Sequence, residues 1–405
     1  MRVLLAALTA ALTFGGIAHA APSARDRAAI AAIESRLGSS AADPAVTTLA
    51  ARMAALKVPG VSIAFIEDGR VKWARAYGVA DVSEHRTVTP DTLFQAASMS
   101  KAVAAAGALR LVDQGRLDLD EDVNRRLKSW QVPASAFTAT EQVTMRRLLS
   151  HTAGLTVSGF PGYAAGKPVP TTVQILDGVA PANTPAIRSF EAPGGAYAYS
   201  GGGYTVAQLA MVEAGGKAYP ELLRNLVLRP ASMRLSTYAQ PLPGKLIRRS
   251  AVGHGIRGIA IAGERNTYPE YAAASLWATP SDYGRFLIAL QDSYAGRPRA
   301  LLSPSSAKAM MTAVDADYGL GLALGRRGGR PFIQHGGSNA GFQSNAFAFL
   351  DGSRQGVVIM TNSDAAIVLL PEIFCAVVAA YGWGEPDPGP HGSPRRAPFV
   401  PSTPK

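Results

Sequence analysis

Ser98 and Lys101 stand three residues apart in the stretch QAASMSKAVAAAG, which runs from Gln95 to Gly107. A serine hydroxyl is a weak nucleophile until something takes its proton. A lysine amine can take it when burial or neighbouring positive charge holds that amine neutral. Residues three apart on a helix share a face, so the spacing predicts the amine one turn on from the hydroxyl. A serine at a helix start also has free backbone N–H groups close by, of the kind that stabilise an oxyanion. Ser100 is adjacent to Lys101 and is expected to point elsewhere. The four residues alone leave two readings open: a nucleophile beside its activating amine, or a capping serine beside a solvated lysine.

Four further segments bear on that choice. They are MRRLLSHTAGL at 145–155, PGGAYAYSGGGY at 193–204, IQHGGSNAGF at 333–342 and VVIMTN at 357–362. Taken with LFQAASMSK, in this order and spacing, they resemble the motifs of the serine β-lactamase and penicillin-recognising superfamily. Within it the chain is most similar to class C β-lactamases, D-Ala-D-Ala carboxypeptidases and β-lactamase-like esterases. The resemblance covers about residues 45–383. It implies an α/β fold of the α+β type, β-lactamase/transpeptidase-like: a mainly antiparallel sheet flanked by helices, with an inserted helical lobe.

The resemblance also implies roles. Ser98 would be the acylated nucleophile and Lys101 its proton acceptor. Tyr199 would be the second acid/base, serving the leaving group and later the attacking water. His335 stands where many relatives carry lysine, and it would hydrogen-bond or polarise Tyr199 and the substrate. The backbone N–H groups of Ser98 and Ser338 would form the oxyanion hole. Gly336 and Gly337, lacking side chains, would let the substrate lie along the strand edge. Tyr197 and Tyr199 alternate in an extended stretch, so one of them is expected in the core. His151, in SHTAG, is expected to be a structural hydrogen-bonding residue. One position departs from the family pattern. Its second motif commonly reads Tyr-x-Asn, and the asparagine grips the amide side chain of a β-lactam or peptide; here the residues are Tyr199-Ser200-Gly201.

The elements that must hold these residues follow from periodicity. Residues 24–37 read as a helix. VSIAFIEDGRVKWARAYG reads as two apolar strands turned at Asp68-Gly69. A helical pattern follows Ser98. Residues from about 119 to 275 are rich in short helical patterns, prolines and glycines, which marks the lobe. WATPSDYGRFLIALQ predicts a helix capped by Ser281. YGLGLALG, RPFIQHGG, FQSNAFAFL and QGVVIMTN then read as successive strands, and residues 365–382 as a helix. The sheet region is expected at about 45–118 and 276–383. Residues 384–405 form a proline-rich tail expected to be disordered.

The chain has 405 residues and a formal net charge of +11. MRVLLAALTAALTFGGIAHA, residues 1–20, has a charged start, an apolar run and Ala18-His19-Ala20, the pattern of a secretory signal cleaved after Ala20. Export to the periplasm or medium follows. Basic residues are scattered in short pairs without interleaved aromatics, so no nucleic-acid partner is expected. The single cysteine, Cys375, excludes an intramolecular disulfide and a cysteine zinc site. His85, His254 and His391 have no metal-ligand spacing, and no metal or cofactor is assigned. The apolar run around Cys375 is interrupted by Pro371 and Glu372, so it reads as a buried helix and the mature chain has no expected membrane span. The function expected is an exported serine hydrolase acting through an acyl-enzyme on Ser98, preferring small esters. The alternatives are a β-lactamase, a D-alanyl-D-alanine carboxypeptidase acting on peptidoglycan-like substrates, and a non-catalytic envelope binding module.

Overall fold

The computed structural model describes residues 22–37 and 47–387. The expected signal segment and residues 388–405 of the expected tail, His391 included, lie outside the described residues.

Strands β1 (Gly60–Glu67) and β2 (Arg70–Asp81) form the hairpin turned at Asp68-Gly69. β3 (Arg86–Thr87) extends that edge. β4 (Phe94–Gln95) and β5 (Trp277–Ala278) make a separate two-stranded ribbon. β6 (Ala323–Arg327), β7 (Arg330–Asn339), β8 (Phe342–Phe349) and β9 (Gly356–Thr361) follow as a meander. The main sheet has seven strands in the order β3-β2-β1-β9-β8-β7-β6, each pairing antiparallel. β1 therefore pairs with β9, and the two ends of the chain close the centre of the sheet.

β1, β8 and β9 are buried at every position, which is why they read as unbroken apolar runs rather than as alternation. The alternation survives in where the side chains go. Val357 and Ile359 enter one core, while Val358 and Met360 enter the other.

The helices supply those two cores. α1 (Ala24–Ser35) and α2 (Leu49–Leu56) precede the sheet, and α3 (Ser100–Asp113) follows β4. The lobe carries α4 (Met145–Leu149), α5 (Thr172–Asp177), α6 (Gly201–Gly215), α7 (Tyr219–Leu223), α8 (Gly244–Ile247) and α9 (Tyr271–Ala274). α10 (Pro280–Tyr294), α11 (Pro304–Met310) and α12 (Ala366–Tyr381) complete the chain. α10 packs on β1, β2 and β9, while α1, α2 and α12 pack together over the opposite face. No helix among the described residues is long and apolar enough to cross a membrane.

Two local expectations fail for physical reasons. α10 is capped by Thr279, whose hydroxyl accepts the Asp282 N–H, with Pro280 opening the helix. Ser281 lies inside the first turn and caps nothing. Residues 318–322 of YGLGLALG are not strand, because the Leu320 and Gly321 N–H groups donate to the carbonyls of Met310 and Leu149. The strand begins at Ala323.

Candidate active site

β4 leads into a short 3-10 turn, Ala97–Met99, before α3 begins at Ser100. Ser98 therefore sits on the turn and not on the helix itself. Ala97 has φ +49, a left-handed conformation that a non-glycine residue adopts only where its surroundings impose it. The turn still brings the pair together: Lys101 Nζ donates to Ser98 Oγ at 3.2 Å. The other bond of Nζ goes to the Ala273 carbonyl of α9 at 2.9 Å. Ser98 is partly exposed, whereas Lys101 is 2% exposed. No carboxylate pairs with Lys101 among the described ion pairs. Burial lowers its pKa to about 7, because desolvation penalises the charged amine. Ser100 points away, as its hydroxyl accepts the Leu276 N–H at 3.0 Å.

Tyr199 ends an irregular segment, and Ser200 caps α6 by accepting the Gly203 N–H at 2.8 Å. The Lys101 ammonium nitrogen lies 4.8 Å from the centre of the Tyr199 ring. Burial raises the Tyr199 phenol above its ordinary value, with the Ser98 hydroxyl pulling the other way; the group keeps its proton at neutral pH. Tyr197 is only partly buried, so neither tyrosine of the pair is fully in the core. Behind Tyr199 stands His151, fully buried at φ +62. Its Nδ1 accepts the Ser200 N–H at 3.0 Å, and its ring centre lies 4.3 Å from that of Tyr199. A ring nitrogen that accepts from a backbone N–H is unprotonated, so the proton of His151 is on Nε2.

The third wall is β7. β6 pairs only with Arg330–Gln334, so His335–Asn339 have β8 on one side and no strand on the other. That open stretch packs against the Ser98 turn. Gly337 makes the approach possible, since a Cβ there would lie 2.2 Å from the Ala96 carbonyl. Ser338 is exposed, its hydroxyl accepting from Gln343 at 2.9 Å.

His335 departs from expectation. Its Nδ1 lies 2.6 Å from the Gly336 carbonyl and its Nε2 lies 3.0 Å from the Tyr318 hydroxyl. A carbonyl can only accept, so Nδ1 carries the proton and Nε2 accepts from Tyr318. Both nitrogens are taken, and the expected hydrogen bond to Tyr199 is replaced by one to Tyr318. Burial and the neighbouring Lys101 lower the His335 pKa to about 4, so the imidazole is neutral. Tyr318 was missed because YGLGLALG resembles a strand. Its position just ahead of the glycines was the only available signal.

The structure thus brings Ser98, Lys101, Tyr199, His335 and Gly337 together at one site. No cluster of metal-ligating side chains occurs among the described residues. A serine, a buried lysine and a tyrosine gathered where a helical lobe meets an antiparallel sheet define a serine hydrolase of the penicillin-recognising superfamily. The chain belongs to the beta-lactamase family, whose model matches residues 46–372. It is similar to penicillin-binding protein 4 of Amycolatopsis lactamdurans, at 27% identity over 343 residues, 78% of this chain and 84% of that protein. It is also similar to protein flp of Staphylococcus aureus, at 26% identity over 235 residues, 56% of this chain. That match takes in 42% of protein flp, less than half its length. Among solved structures, the D-amino acid amidase of Ochrobactrum anthropi SV3 complexed with L-phenylalanine superposes with a TM-score of 0.67 at 23% identity, covering 89% of this chain and 99% of that one. The octameric penicillin-binding protein homologue from Pyrococcus abyssi gives 0.63 at 20% identity, covering 83% and 76%. At these identities the structural likeness speaks for the fold.

Proposed function

We propose that the protein is an exported serine hydrolase that cleaves small esters through an acyl-enzyme on Ser98. The observation that carries this reading is the 3.2 Å contact between Ser98 Oγ and a buried amine that has no carboxylate partner among the described residues. With its pKa near 7, Lys101 is substantially neutral at neutral pH and can take the serine proton as Oγ attacks the acyl carbon. The oxyanion that forms faces the backbone N–H groups of Ser98 and Ser338. Tyr199, still protonated, gives its proton to the departing alkoxide and is reprotonated from Lys101. Water then attacks the acyl carbon, its proton passes to the same amine, and the amine returns a proton to Ser98 Oγ as the acyl bond breaks, which restores the serine hydroxyl and the neutral lysine. His335, neutral and held by Tyr318, shapes the wall and transfers no proton.

Esters are favoured over β-lactams and peptides because Gly201 offers no side chain to grip a substrate amide. An ester also has a better leaving group than a peptide amine. Short-chain ester hydrolysis should exceed nitrocefin and D-Ala-D-Ala peptide hydrolysis by about a hundredfold or more in kcat/KM, roughly 2.7 kcal/mol of barrier. Efficient nitrocefin turnover by the wild-type protein would overturn the ester preference. Export rests on the pattern of residues 1–20, and finding the full uncleaved chain in the cytosol of an expressing bacterium would overturn it.

A further inference from the structure

Gly201 is the first residue of α6 and its φ is not in the left-handed region. Its missing side chain therefore answers to space and not to backbone conformation. A Cβ at Gly201 would lie 2.8 Å from Cε2 of the Phe160 ring and 3.1 Å from the Ser158 carbonyl. The room beside Tyr199 that a side chain at 201 would fill is filled by an aromatic ring from a different segment.

That segment is held on both sides of Phe160. Ahead of it, the Gly201 and Gly202 N–H groups donate to the Ser158 and Val157 carbonyls at 3.2 and 2.9 Å, and Ser200 Oγ donates to the Thr156 carbonyl at 3.2 Å. Three successive carbonyls are thus zipped onto the start of α6. Val157 has φ +67, a strained state for a β-branched residue. Such a state persists only where the surroundings over-determine it, and it clusters at functional sites. After Phe160, the Pro161 carbonyl accepts from Asn266 Nδ2 at 3.2 Å and from the Tyr268 hydroxyl at 3.4 Å. The Tyr268 hydroxyl in turn accepts the Ala340 N–H, just past the open stretch of β7, at 3.1 Å. Tyr268 thereby ties the Phe160 segment to the strand edge that walls the cleft. Phe160 itself remains partly exposed.

We infer that Phe160 is a specificity-determining residue: its ring forms an apolar wall of the acyl-side subsite and selects esters with purely hydrocarbon acyl groups over acyl groups carrying an amide. The inference deepens the esterase reading and rests on it. An acyl amide placed against this ring would bury its N–H and C=O without partners, which disfavours it. A short alkyl acyl chain gains contact instead.

Two substrates with one leaving group isolate the effect: p-nitrophenyl butyrate and the p-nitrophenyl ester of N-acetylglycine. Wild type is expected to favour the butyrate by about a hundredfold in kcat/KM, the scale on which an apolar pocket rejects a ligand of similar size that carries added polar groups. Phe160→Ala should narrow the ratio by roughly tenfold or more, mainly through a higher KM for the butyrate. The double variant Phe160→Ala with Gly201→Asn places an amide donor and acceptor in the vacated space and should narrow the ratio further. Gly201→Asn alone should damage both substrates, since the ring then has no room. Phe160→Leu keeps an apolar wall and should retain the wild-type preference, which controls for a loss of folding. If the Phe160→Ala ratio matches wild type while both esters are still cleaved, the wall assignment is wrong and the esterase reading stands. If wild type cleaves neither ester, the esterase reading itself has failed.

Discussion

Two basic residues on opposite faces of the sheet, one half-buried and one fully buried, behave in opposite ways. On the outer face, Arg52 of α2 meets Glu372 of α12 through two hydrogen bonds of 2.9 and 2.6 Å. The bidentate partner raises the guanidinium pKa, so the charge is fixed. On the lobe side of the sheet, Lys101 is buried more deeply, meets a hydroxyl, a carbonyl and the face of the Tyr199 ring, and its pKa falls to about 7. A half-buried cation paired with a carboxylate is a structural clamp, and a fully buried one without a carboxylate is an amine poised to change charge. The difference lies in both partner and burial: desolvation acts on Lys101 with no carboxylate against it, whereas Glu372 outweighs the smaller desolvation of Arg52.

Removing the poised amine should have the largest effect. Lys101→Met is expected to lower ester hydrolysis on the order of 10²–10⁴-fold, as for a general base, and yet to stabilise the fold at neutral pH. The folded-state pKa of about 7 lies below the ordinary lysine value of 10.5. Between those values the folded state binds fewer protons than the unfolded chain, so wild-type stability rises with pH across that window. Methionine removes this dependence. Thermal unfolding of both proteins from pH 6 to 10 checks it, and a Lys101→Met protein less stable than wild type at pH 7 would show that the amine is not held at a desolvation cost.

Breaking the clamp should do the reverse. Arg52→Met leaves Glu372 without its bidentate partner, which should cost about 1–3 kcal/mol of stability, while the pH profile of hydrolysis stays where it is. Replacing both partners with methionine should recover most of the loss, as denaturant titration would reveal.

His335→Ala should have the smallest effect, less than about a hundredfold on kcat/KM, because the imidazole is already neutral above about pH 4 and transfers no proton. The acid limb near pH 7 should remain in that variant, since it belongs to Lys101. A limb that moved would return the base role to His335.

The comparison also explains what could be read from sequence. The Ser98–Lys101 spacing, the Asp68-Gly69 turn and the apolar runs of β8 and β9 all encode local geometry, so they were legible. The hydrogen bond expected from His335 to Tyr199 goes to Tyr318 instead, because Tyr318 arrives through a turn whose hydrogen bonds go to α11 and the end of α4. Phe160 lies in the irregular stretch between α4 and α5, and nothing in its neighbours signals that it fills the space beside Gly201. The elements follow from periodicity and the fold from the motif resemblance, whereas the walls of the site depend on long-range hydrogen bonds that neither records.

The most direct test of the central claim is the rate at which a fluorophosphonate labels the protein between pH 5 and 9, read by intact mass and peptide mapping. A single adduct on Ser98 is expected, with a rate that rises with pH through an apparent pKa near 7 as Lys101 loses its proton. An adduct elsewhere, or a Ser98 labelling rate that does not change across this range, would contradict a neutral lysine activating the serine.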